Sequence, residues 1–165
     1  PALPPWLDEG IADDLASARL DESSRLEVGA LAAERFDLGD RIELRGGLAS
    51  LDLLLVARRD GSAVRLDRLL AADWETFVGG RRSRLHYAAS AFLIRFLARP
   101  EDPRRDDFMA FLDGVSRGGP PDTGGFETHL GPLPEVESAW VSYLLQQGLE
   151  AGLGSRLVVA PSSAG

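Results

Sequence analysis

"SRLHYAASAFLIRFLARP", residues 83–100, is the stretch on which the fold turns. Leu85, Ala88, Ala89, Phe92, Leu93, Phe96 and Leu97 recur at helical intervals, and on a 3.6-residue period they merge into one wide apolar stripe. Ser83 stands where a helix cap is wanted, and Pro100 stands where the helix has to stop. A helix so apolar over so much of its circumference needs cover from several sides. The flanking segments are therefore read as that cover.

Downstream, "EDPRRDDFMAFLDGVSRGG" (101–119) gives an amphipathic helix with Phe108, Phe111, Leu112 and Val115 turned inward and Gly118 as its stop. "GGPPDTGG" is a loop, "FETHLG" one helical turn, and "LPEVESAWVSYLLQQGLEAG" (133–152) the last helix. Pro134 lies in its first turn, where a missing amide hydrogen costs nothing. Val136, Trp140, Tyr143 and Leu144 form its core face. Residues 153–165 are expected to be a tail with a short extended segment.

Upstream, "LASLDLLLVARRDG" (48–61) is too leucine-rich for its period to decide, but its length and composition favour a buried helix ended by Gly61. "VRLDRLLAADWETF" reads as a short helix and a helical turn, and "VGGRRS" as a loop. Residues 20–47 suggest a short helix near 26–35 and a brief extended stretch at "RIEL". In "PPWLDEGIADDLASAR" (4–19), Trp6, Leu7, Ile11 and Leu15 recur at helical spacing, with acids at 8, 9, 13 and 14. Acids near a helix start favour the macrodipole. The expectation is a mainly α fold with at most a small β element, one helical domain over 1–152.

Composition narrows the function. The net charge is −8, and the basic residues gather into no stripe; nucleic-acid binding needs a clustered cationic footprint. All 18 basic residues are arginine, which is read as codon bias. With no cysteine, disulfides and thiolate metal sites are excluded. No apolar run approaches the roughly 20 residues of a membrane span. The chain starts at Pro1 rather than methionine, so it is expected to be part of something longer, and an absent signal peptide carries no information.

"PPWLDEGIAD" resembles the "WLxEGxA" segment of gluzincin zinc metallopeptidases, and in particular the bacterial peptidase-MA-like group. "HYAASAFLIRFL", "DFMAFLDGVSRG" and "VESAWVSYLLQQ" follow in the order of that group's later helices. The resemblance implies the C-terminal helical part of a gluzincin-like metallopeptidase domain that hydrolyses peptide bonds with zinc-activated water. It makes Glu9 the third zinc ligand and Asp13, one turn on, a carboxylate that orients a ligand imidazole. It makes Tyr87 a candidate oxyanion donor. A peptide or protein is the implied substrate, and the group's members are often exported.

The His-Glu-x-x-His helix that supplies the other two ligands is absent, and the only histidines are His86 and His129. The fragment is thus expected to be inactive and to bind zinc weakly or not at all. His86 and His129 are read as surface or capping residues, and the cluster Arg81, Arg82, Arg84 as a solvated face or a contact for an acidic partner. Without the resemblance, Glu9 and Asp13 are ordinary acids at a helix start, and Tyr87 is a core tyrosine with a surface hydroxyl. The alternative function is a non-catalytic helical interaction module. That reading expects an exposed apolar face covered by self-association or by a missing N-terminal segment.

Overall fold

A computed structural model of the chain describes residues 3–16 and 46–154, with the backbone of four short strands between them. It is mainly helical. Among the described residues there are eight helices: α1 (Pro5–Ala16), α2 (Gly46–Arg59), α3 (Leu66–Leu70), α4 (Trp74–Val78), α5 (Ser83–Ala98), α6 (Arg105–Ser116), α7 (Thr123–Leu130) and α8 (Leu133–Glu150). The strands β1 (Arg19–Leu20), β2 (Leu26–Glu27), β3 (Glu34–Asp37) and β4 (Ile42–Arg45) form two antiparallel pairs, β1 with β2 and β3 with β4.

The central helix is α5. Phe92, Leu93, Phe96 and Leu97 are almost wholly buried, and α1, α2, α3, α4, α6 and α8 all pack against it. The expected stripe therefore exists, and so do α2, α6 and α8 about where their periodicity puts them. Trp6 anchors α1 from the other end: its ring lies edge-on to Phe126 of α7 at 5.8 Å and stacks on Phe111 of α6 at 6.3 Å. Edge-on and offset aromatic pairs of this kind add about 1 kcal/mol each beyond the area they bury.

Local details differ from the sequence reading for identifiable reasons. Ser83 does not cap α5; Arg82 occupies the cap position, without a side-chain bond, and Ser83 is already helical. The side-chain caps are aspartates: Asp73 Oδ1 accepts the Thr76 amide at 2.8 Å, and Asp122 Oδ1 accepts the Gly125 amide at 2.9 Å. That second bond starts α7 inside the expected loop, so "FETHLG" belongs to an eight-residue helix rather than a single turn. Gly131 ends it at φ 87°, a value that disfavours any side chain.

The helix expected near 26–35 is replaced at its ends by β2 and by β3, which pairs Glu34–Asp37 with Ile42–Arg45. Alternation of apolar and charged residues in "RIEL" suits a paired strand, and that pairing recruits residues 34–37. Residues 28–33, in the middle of that expected helix, and the expected extended segment of the tail lie outside the described residues.

The face of α1 is the more consequential correction. Trp6 and Leu7 are buried as expected, but Leu15 is 56 % exposed. The stripe runs instead through Gly10 and Asp14. At Gly10 the helix meets α5 so closely that a Cβ would stand 2.9 Å from the Ser90 carbonyl oxygen and 2.7 Å from Ile94 Cγ1. One turn later Asp14 forms an ion pair with Arg95, Nε to Oδ1 at 3.1 Å, both side chains more than nine-tenths buried.

Gly10→Ala is expected to destabilise the protein by about 1–3 kcal/mol, because a backbone neighbour has to move. This holds even though alanine gains about 1 kcal/mol of helix propensity. Gly148→Ala, whose Cβ would meet only the flexible end of Leu55, is expected to cost less. Urea unfolding midpoints rank the two; a Gly10→Ala protein more stable than the parent would contradict the close approach.

Candidate functional site

Glu9 and Asp13 lie on α1, and Tyr87 lies on the first half of α5. Because α1 runs along α5, the three residues share one neighbourhood. Asp13 and Tyr87 line a common cleft of about 570 Å³, walled on its other side by Ala49, Ser50, Asp52, Leu53 and Val56 of α2, with Arg84 also at its edge. Glu9 is half-buried one turn before Asp13 and does not line the cleft.

Tyr87 is positioned by packing. Phe77 of α4 is fully buried and meets the Tyr87 ring edge-on at 5.1 Å. Partial burial pushes the Tyr87 phenol above its ordinary value, and the negative charges of Glu9 and then Asp13 push it in the same direction. A phenol with a raised pKa keeps its proton and remains a hydrogen-bond donor through neutral pH. Asp13 is itself shifted upward by desolvation.

Asp13 and Asp14 point to different sides of α1, as neighbours about 100° apart on a helix must. Asp14 belongs to a second cleft of about 690 Å³, which it lines with Arg95, Arg99, Tyr143 and Glu150 among others. Sequence reasoning missed Asp14. The signal for it was Arg95, a lone cation in the apolar run "AFLIRFLA" that calls for a carboxylate.

One of the two histidines is placed otherwise than expected. His86 is not at the surface: it is 8 % exposed, tilted against the Phe77 ring, with Nδ1 3.2 Å from the Phe77 carbonyl oxygen. Its neighbour Tyr87 faces the α1 cleft, and the helical twist sends the imidazole elsewhere. His129 closes the last turn of α7, Nδ1 2.9 Å from the Gly125 carbonyl, and lies edge-on to Phe111. His129 is exposed, the surface position expected of it, and its bond runs back within the helix rather than capping the helix end.

Among the described residues, the donors in and beside the α1 cleft are the carboxylates of Glu9, Asp13 and Asp52 and the Tyr87 phenol. Among the described residues no group of three or more histidine, cysteine, aspartate or glutamate side chains is placed to hold a metal. These residues do not by themselves fit zinc, which takes three protein ligands in catalytic sites. No helix among the described residues is long and apolar enough to cross a membrane. The chain matches no family model, no curated protein and no solved structure.

The upward shift of Asp13 has a signed consequence. A carboxyl that holds its proton more tightly when folded loses stability as pH rises from its ordinary value through the raised one. Asp13→Asn is therefore expected to raise Tm at pH 7, and the gain should vanish below about pH 3, where aspartate is protonated in both states. Thermal unfolding of the two proteins across that range checks it; a gain that persists unchanged at low pH contradicts the assignment.

Proposed function

We propose that this chain is the helical, third-ligand portion of a gluzincin-type zinc metallopeptidase. In this reading Glu9 supplies one ligand, and the two imidazoles come from a helix outside these 165 residues. The observation that carries the proposal is the packing of α1 on α5, which brings the Glu9 and Asp13 carboxylates into the electrostatic range of Tyr87 beside a cleft. The ordered resemblance of the four motifs adds support.

Zinc, when bound, supplies the activation of water for attack on a peptide carbonyl. This chain's own residues have narrower tasks. Asp13, held at the cleft where its ionised form is disfavoured, accepts a hydrogen bond from an imidazole and fixes its orientation. Tyr87 keeps its phenolic proton and donates it as a hydrogen bond to a developing oxyanion. Phe77 fixes the ring. The described residues complete no metal site by themselves, so this reading expects the fragment alone to hydrolyse no peptide.

A helical interaction module is less well supported. It calls for a contiguous apolar face, whereas the large exposed apolar residues among those described are Leu3, Leu15, Trp74, Val78, Met109 and Leu149. No helix carries more than two of them.

Expression from the gene with its preceding coding sequence tests the proposal. A His-Glu-x-x-His helix upstream, and zinc affinity lowered by about tenfold or more in Glu9→Gln, are the expected results. An affinity untouched by that substitution, or an upstream segment without the two histidines, would remove Glu9 from a zinc site. Tyr87→Phe is expected to lower kcat while leaving zinc affinity unchanged.

A further inference from the structure

We propose that the cleft between the end of α3, α4 and the start of α5 binds a phosphate group carried by a small molecule. The proposal is independent of the peptidase reading and concerns a different part of the surface. The cleft measures about 620 Å³ and is lined by Arg68, Asp73, Thr76, Arg81, Arg82 and His86, among others. That volume lies within the range of small-molecule sites.

The arginines carry the argument. In a chain of net charge −8, carboxylate partners are plentiful. Seven described arginines, from Arg59 to Arg117, have one. Arg68, Arg81 and Arg82 form no ion pair with any described residue, yet all three converge on this cleft. All three are exposed, so their guanidinium groups remain open to a ligand. The one carboxylate in the lining, Asp73, is engaged as the cap of α4. Three guanidiniums against one carboxylate leave the cleft positive.

Two further groups point the same way. His86 is nine-tenths buried and lines the cleft. Its Nδ1 donates to the Phe77 carbonyl, which leaves Nε2, an acceptor in the neutral ring, to take a hydrogen bond from a hydroxyl of the ligand rather than to hold a phosphate oxygen. The sixteen-residue helix α5 has Arg82 at its cap position with no side-chain bond, so the positive end of its dipole lies beside Arg81 and Arg82. Forked guanidinium donors match the oxygens of a phosphate, and several of them suit a dianion better than a single carboxylate.

Isothermal titration of the full chain at low ionic strength, with inorganic phosphate and pyrophosphate as probes and succinate as comparator, tests the site. Saturable one-to-one binding of the phosphate probes is expected. It should weaken by about tenfold or more in the double variant Arg81→Ala/Arg82→Ala, which removes two charge-assisted contacts. Arg58→Ala removes another exposed arginine that pairs with no described residue, on α2 away from the cleft, and should leave binding unchanged. Absence of saturable binding, equal weakening in Arg58→Ala, or succinate bound as tightly as pyrophosphate would each overturn the proposal. Circular dichroism and urea midpoints of the variants confirm that the fold is kept.

Discussion

The docking of α1 onto α5 is the constraint on which the rest of the molecule depends. It rests on two adjoining features: the missing side chain at Gly10, which lets the helix approach the Ser90 backbone, and the Asp14–Arg95 pair one turn later. The first sets how near the helices come. The second fixes their register, because an uncompensated charge in that position would cost about 3–5 kcal/mol. A buried pair of this kind adds little net stability over an apolar substitute, whereas removing one partner alone is costly. Trp6, wedged among Phe111 and Phe126, ties the same helix to α6 and α7.

From this docking follows the division of labour between the two consecutive acids. Asp14 turns into the interface and is consumed by structure; Asp13 turns to a cleft shared with α2 and Tyr87. Burial works against the charge of Asp13, and burial together with the Glu9 and Asp13 carboxylates raises the Tyr87 phenol beside it. The arginine-lined cleft at the far side of Phe77 is separate. His86 and Tyr87, adjacent on α5, face these two clefts, with Phe77 packed against both rings.

Much of the scaffold was legible because long apolar periodicities outweigh local ambiguity. The stripe of α5 and the face Val136, Trp140, Tyr143, Leu144 of α8 were readable and are buried. Leu15 misled, because a period alone cannot tell that Asp14 has a buried partner 81 residues away. The start of α7 was obscured by "PPDTGG", whose prolines and glycines hide the capping role of Asp122. His86 was misjudged for a similar reason. Its burial depends on α4 folding back through Phe77, a tertiary contact that no window of sequence around the histidine contains.

The most direct measurement of the α1–α5 arrangement is the ionisation of the Tyr87 phenol. The chain has two tyrosines, so a Tyr143→Phe background isolates Tyr87 in an ultraviolet titration. Neutralising both acids, by Glu9→Gln with Asp13→Asn, should move its pKa downward, since each carboxylate opposes formation of the phenolate. An ionisation curve that does not move would mean that α1 does not present those carboxylates to α5, and the account of the site would fail with it.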